Sequence, residues 1–287
     1  MNHFFSLIAL ACLSASMIGC NVASQATVLP PTNEPATPAP AATSVSPTFP
    51  PASVPTRSAA AVTIYYEENA QVELINSQGT RVLIDMSAPS SLSQPATDKD
   101  VLLTTHKHPD HVNDAFLASF KGQQIFVKEG EIKLPDMTMC GIASAHNAND
   151  QLKPENGTNY IYIVDMGGLR IVHFGDIGQR ALTPAQLTML GKVDIAITQF
   201  DNSYSDMNIS NKKGFNLADQ VKPRLIIPTH NSLDAAKYAA TRWTCLYTDQ
   251  LSVAISRADL SDKTQVLLMG KLAPSYSKIL NLPKANW

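Results

Sequence analysis

The sequence predicts an α/β fold in which two β-sheets pack face to face and helices cover both outer faces. Three observations point there. Short runs rich in β-branched and aromatic residues recur from residue 62 onward, and helical segments interrupt them in both halves. Hydrophobic residues make up 44% of the 287 residues and charged residues 16%, which supplies a sizeable core and excludes wholesale disorder.

Taken in order, residues 62–66, 71–75 and 81–84 read as strands, with Asn76 to Gly79 as a hairpin turn between the last two. Residues 101–105 form a buried-strand candidate, 113–120 a short helix and 124–127 another strand. In the second half, strands at 159–164 and 169–174 flank a turn at Met166-Gly167-Gly168. Residues 183–190 read as a helix with Pro184 at its first position, and 193–198 and 224–227 as strands. A helix over 232–243 starts at Ser232, a side chain suited to capping it, and 264–269 is a late strand.

The chain carries 22 basic and 24 acidic residues, a formal net charge of −2, so no electrostatic footprint for nucleic acid is present and none is expected as a partner. Its four cysteines are too few for a disulfide scaffold; Cys140 and Cys245 either pair or remain buried thiols. No apolar run reaches the ~20 residues of a membrane span.

Residues 1–61 are of a different kind. Phe4 to Gly19 are apolar or small, without charge, as in the apolar region of a secretory signal. Met17-Ile18-Gly19-Cys20 resembles the lipobox of bacterial lipoproteins. The resemblance implies a signal peptide over 1–19, lipidation at Cys20 and anchoring to a bacterial membrane on the periplasmic or cell-surface side. Residues 21–61 hold 9 of the 19 prolines and only two charges, Glu34 and Arg57. Such a segment buries too little to offset ordering, so 20–61 reads as a disordered, semi-rigid tether. The folded domain is expected at 62–287.

Chemistry concentrates in Thr105-His106-Lys107-His108-Pro109-Asp110-His111, directly after a predicted buried strand. Neutral imidazole and carboxylate are zinc ligands. Two apart on extended backbone, His106 and His108 point the same way and can grip one ion. Asp110 and His111 follow where the chain turns, and can face a second. His146, Asp176 and His230 each sit in a loop after or near a strand. Counting them, five of the seven histidines fall on one ligand set. His173, inside a strand with apolar neighbours, reads instead as a core histidine.

His106-x-His108-x-Asp110-His111, then His146, Gly175-Asp176 and His230, resemble in order the five metal-binding motifs of the metallo-β-lactamase superfamily. The resemblance covers roughly residues 62–270 and implies the four-layer αββα sandwich. Strings at 82–85, 169–176 and 222–230 resemble the branch that includes L-ascorbate-6-phosphate lactonase-like proteins. Carried over, the resemblance implies His106, His108 and His146 on one metal, Asp110, His111 and His230 on the other, and Asp176 bridging them. Two Zn2+ ions are the expected cofactor, with Mn2+ and Fe2+ also compatible with such ligands. A paired site lowers the pKa of a shared water and supplies hydroxide for attack on a small ester-like substrate, a lactone or phosphodiester, with Asp110 orienting it.

Asp85 is expected to support the ligands rather than join them. Asn202 and Tyr204, in the loop after the 193–198 strand, are candidate substrate contacts. The aspartate at 176 argues against β-lactamase activity, since β-lactamases of this fold generally lack a bridging aspartate there. β-Lactamase activity and a tethered metal-binding module without turnover are the competing readings.

Overall fold

A computed structural model describes residues 61–147 and 158–287. The expected signal peptide and lipidation site Cys20, and the expected tether apart from Ala61, therefore lie outside the described residues. Among the described residues, fourteen strands and five α-helices follow one another: β1 (Val62–Glu68), β2 (Gln71–Asn76), β3 (Arg81–Ile84), β4 (Val101–Thr104), α1 (Asp114–Ser119), β5 (Gln123–Phe126), β6 (Gly130–Leu134), β7 (Met137–Ser144), β8 (Asn159–Met166), β9 (Leu169–His173), α2 (Pro184–Leu190), β10 (Ile195–Gln199), α3 (Lys213–Val221), β11 (Leu225–Thr229), α4 (Leu233–Ala240), β12 (Thr244–Tyr247), β13 (Ser252–Ile255), β14 (Gln265–Leu268) and α5 (Ala273–Leu280).

The strands form two sheets, one ordered β13-β1-β2-β3-β4-β5 and the other β12-β14-β11-β10-β9-β8-β7-β6. Period-two alternation explains how each sheet has two buried faces. Ile195 and Ile197 of β10 and Leu225 and Ile227 of β11 point into the core shared with the other sheet. Their neighbours Ala196 and Ile226 point the opposite way, into the clusters beneath the helices. In the first sheet Val82, Ile84, Val101 and Leu103 face the shared core, while Leu83 and Leu102 pack against Phe116, Leu117 and Phe120 at α1. Leu190 of α2 and Leu217 of α3 cover the outer face of the second sheet, as do Phe215, Ala236 and Ala273 from α3, α4 and α5. Four layers result, αββα, as expected.

Sheet membership departs from a simple division by halves. β13, late in the chain, pairs antiparallel with β1, and β6 and β7 join the second sheet. Four strands (β6, β7, β12, β13) and two helices (α3, α5) were not anticipated. The pairing of Cys140 with Cys245 is not made: Cys245 is a free, buried thiol. Cys140 lies on β7 and Cys245 on β12, six strand positions apart, or roughly 29 Å at ~4.8 Å per step. A disulfide needs Cα atoms within about 7 Å. Among the described residues, no helix is long and apolar enough to cross a membrane.

This topology brings four loops to one place. β9, β10 and β11 run parallel, and β7 runs in the same direction as β9 because both pair antiparallel with β8. Loops after β7, β9 and β11 therefore emerge at one edge of the second sheet, where the loop after β4 meets them.

Candidate metal centre

The loop after β4 carries His106, His108, Asp110 and His111; the loops after β7, β9 and β11 carry His146, Asp176 and His230. Their donor atoms gather into two groups, each with all atoms within 4.8 Å of one another: His106, His108, His146 and Asp176, and then Asp110, His111 and His230. The seven residues named from the sequence are thus brought together, with Asp176 gathered into the first group.

Asp176 joins the groups. Its Oδ2 lies 3.7 Å from His106 Nε2 and 3.8 Å from His146 Nε2, while its Oδ1 lies 3.2 Å from His230 Nε2 and 3.4 Å from His111 Nε2. Asp110 Oδ2 stands 3.8 Å from His111 Nε2 and 3.9 Å from His230 Nε2, half-buried at the mouth. His106 Nε2 and His108 Nδ1 approach to 3.1 Å.

The backbone at Asp176 is built for this position. Gly175 has φ +55°, and a Cβ there would lie 2.3 Å from Asn159 Oδ1 and 2.7 Å from Thr105 Cβ, so only glycine fits. Asn159 Oδ1 accepts from the Asp176 amide at 2.9 Å, and its Nδ2 donates to Phe174 O at 2.8 Å. His173 is the core histidine expected. Its Nε2 donates to Ala70 O at 3.0 Å and its Nδ1 accepts from the Gly175 amide at 3.1 Å, and burial holds it below the ordinary imidazole value.

Asp85 supports rather than ligates, as expected. It is fully buried at φ +54°; Oδ2 accepts from His111 Nδ1 at 2.8 Å and from Thr105 Oγ1 at 2.7 Å, and Oδ1 accepts from the Thr105 amide at 2.8 Å. With Nδ1 donating to Asp85, His111 points Nε2 toward Asp176 and His230, and that nitrogen becomes a ligand lone pair once its proton is displaced.

Asn202 is a correction. It is buried, and its Nδ2 donates to Asp176 Oδ2 at 2.7 Å while its Oδ1 accepts from the Tyr204 amide at 3.0 Å. Both ends of its amide are engaged by protein, so it orients the carboxylate and is not a rim contact. Tyr204 is at the rim: its side chain is 77% exposed and its ring stands edge-on to His108, centroids 6.3 Å apart.

Thr105, Asn159 and Lys213 were not singled out from the sequence. The Lys213 ammonium is buried and donates to Gly178 O and Ser205 O at 2.9 Å each, clamping the two loops that flank Asp176. Nothing local marks these residues, since their roles exist only once distant loops meet.

Electrostatics fit a cation. Burial penalises the Asp176 charge, but His111 and His230 beside the same oxygen overcome this and hold the carboxyl far below its usual range. Burial, then the neighbouring His111, pushes His106 down to about 3, leaving it a neutral ligand at any ordinary pH. Asp176 Oδ1 is buried and accepts no hydrogen bond of good geometry, although two ring nitrogens face it. Lone pairs converging on common points, in a set of imidazoles and carboxylates, suit divalent metal ions.

A model of the Beta-lactamase superfamily domain matches residues 63–230, more than half of the chain. The chain belongs to the beta-lactamase superfamily. Within the superfamily it is 22% identical over 194 residues to a UPF0173 metal-dependent hydrolase of Thermococcus onnurineus, covering 59% of this chain and 84% of the relative. It is 24% identical over 176 residues to another from Pyrococcus abyssi, covering 52% and 76%. A crystal structure from Thermotoga maritima, assigned to the Zn-dependent hydrolases of the metallo-beta-lactamase superfamily, shares the fold at TM-score 0.54 and 18% identity. That match covers 72% of this chain and 98% of the other. The superfamily match ends at His230, so α4, β12, β13, β14 and α5 lie beyond it.

Proposed function

We propose that this chain is an exported, lipid-anchored hydrolase that uses two zinc ions to cleave a small ester-like substrate, a lactone or phosphodiester. Its superfamily and the metal-dependent hydrolases among its relatives support metal-dependent hydrolysis. The observation that carries the dinuclear reading is Asp176, whose two oxygens each face two imidazoles of a different group. One metal would be held by His106, His108 and His146, the other by Asp110, His111 and His230, with Asp176 between. Zinc, when bound, supplies Lewis acidity and lowers the pKa of water.

The protein's own groups do the rest. Asp110, half-buried at the mouth, accepts the proton of the attacking water, whose oxygen bonds to the carbonyl carbon or phosphorus. The ester C–O or P–O bond breaks, and the leaving oxygen takes the proton that Asp110 accepted, which returns Asp110 to its carboxylate form. Asn202 fixes the Asp176 rotamer through its 2.7 Å hydrogen bond, and Tyr204 stands beside His108 to meet the substrate. The Cys20 lipid and the proline-rich tether after it would hold this chemistry outside the cytoplasm, at a membrane.

Metal analysis and turnover test the proposal together. The full chain is expected to hold about two zinc ions, to lose them with Asp176→Ala, and to hydrolyse members of an ester, lactone and phosphodiester panel in a chelator-sensitive manner. Two bound ions with no turnover across the panel would leave a metal-binding module; one ion or none would remove the dinuclear reading. Cys20→Ala should release the protein from membranes, and continued tight association would overturn the anchor.

A further inference from the structure

A buried cation lies outside the metal centre yet reaches toward it. Lys213 is 2% exposed, and its ammonium has three protons to place. Two go to the backbone carbonyls of Gly178 and Ser205, at 2.9 Å each, and the third to Asp206 Oδ2 at 3.3 Å. The Asp206 side chain is 62% exposed, so the charge serves loop backbone more than a buried ion pair. Burying an ammonium costs free energy unless its donors are used, and here all three are. Its origin is fixed as well. Lys213 opens α3, its amide donates to Asn211 Oδ1 at 3.1 Å, and a Cβ on the next residue, Gly214, would lie 2.5 Å from Gln199 O. The first turn of the helix is therefore pressed against the end of β10.

Each carbonyl it holds leads to the metal centre. Gly178 stands two residues past Asp176, and its amide donates to Ala145 O at 2.9 Å. A Cβ on Gly178 would lie 1.9 Å from His146 O, so the backbone after Asp176 lies directly against the backbone of His146. Ser205 donates its hydroxyl to Asp176 O at 3.1 Å and ends the short 3-10 turn Ser203–Ser205, which carries Tyr204. Asn202, whose amide holds the Asp176 carboxylate, caps the start of that turn. One ammonium thus fastens the rim turn to the backbone of two metal-facing residues. A methionine of similar length would remove all three hydrogen bonds at once.

Resting on the hydrolase reading above, we infer that Lys213 is a positioning residue: it fixes the register between Tyr204 at the rim and the His146–Asp176 pair beneath. A substrate that meets the Tyr204 ring is thereby presented to the group formed by His106, His108, His146 and Asp176. Lys213 touches neither substrate nor metal and acts through the two loops it holds.

Lys213→Met, Tyr204→Ala and the double variant, as full chains at saturating zinc, test this. Hydrogen exchange reads the clamp itself: Lys213→Met should speed exchange across 176–180 and 202–207 about tenfold, the weight of one hydrogen bond, and leave β10 and β11 unchanged. Chelator competition reads the donors, and zinc affinity should fall about 10–100-fold. Kinetics on bis(4-nitrophenyl) phosphate and dihydrocoumarin, a phosphodiester and a lactone with aromatic faces, separate positioning from mere stability. Lys213→Met should raise KM about tenfold when Tyr204 is present and hardly at all with Tyr204→Ala, whose turn no longer carries the ring. Equal KM increases in both backgrounds would overturn the link to the rim. Unchanged exchange and zinc affinity would overturn the role of Lys213 and leave the hydrolase intact. Faster exchange and weaker zinc, with neither compound hydrolysed by the wild type, would sink the hydrolase reading and leave Lys213 fastening the loops. If Lys213→Met does not fold, Asp206→Asn loosens the same ammonium at an exposed residue with φ +49°, which asparagine tolerates. It should shift all three readouts severalfold in the same direction, and no shift would overturn the inference.

Discussion

At His111 the demands of charge and of metal binding oppose each other. Burial disfavours its protonation, but Asp85 at 2.8 Å and Asp176 at 3.4 Å outweigh burial and push the metal-free imidazole up to about 10. A metal ion must therefore displace a proton, whereas His106, at about 3, gives up none. With His111 protonated below pH 10, apparent zinc affinity should rise about tenfold per pH unit between roughly 7 and 9, with proton release on binding. Competition titrations against a chelator at several pH values read this directly, and an affinity flat with pH would remove His111 from the ligand set. Asp85→Ala should weaken zinc about 10–100-fold by freeing the ring. His106, His108, Asp110 and His111 stood out because they crowd into one short stretch, whereas His146, Asp176 and His230 were singled out by their places after or near strands and by the order of the motifs. Asn202 was misplaced because a loop position in sequence does not reveal which way its amide turns, and here it turns inward to Asp176.

Among the elements, helices announced themselves through their first residue. Asn113, Thr183 and Ser232 each accept a hydrogen bond from a backbone amide at the start of α1, α2 and α4, and these three helices were anticipated. α3 and α5 start from Lys212 and Leu272 without any side-chain cap, so their starts carried no such signal. The missed strands follow a matching rule. β6, β12 and β13 are sheet edges, partly exposed along their length, and carry a diluted apolar pattern. In β7, Gly141 reads as a breaker, yet a Cβ there would lie 2.7 Å from the Tyr162 ring, so the glycine makes room for a core tyrosine. At α2 the Thr183 and Gln186 side chains form a reciprocal capping box. Thr183→Ala should cost about 1 kcal/mol. Urea unfolding is expected to show a lower midpoint with unchanged slope and unchanged metal content; an altered slope would point to a change in the unfolded or native ensemble instead.

Across the molecule, the metal centre joins the two sheets. Four of its candidate ligands follow β4 of the first sheet, and the other three follow β7, β9 and β11 of the second. Apart from the shared apolar core, the same ions would thus tie both halves of the sandwich, and binding free energy would become resistance to unfolding. Free zinc at a hundred times its dissociation constant contributes about 2.7 kcal/mol. For a domain of this size each kcal/mol moves Tm by roughly 2–4 °C, so chelation should lower Tm by about 5–10 °C. Asp176→Ala, which removes the carboxylate between the groups, should unfold at a temperature that zinc no longer raises as far. Calorimetric scans with and without chelator separate the possibilities. If zinc protects wild type and Asp176→Ala equally, the ions do not meet at Asp176. If it protects neither, the two sheets are held by their apolar core alone.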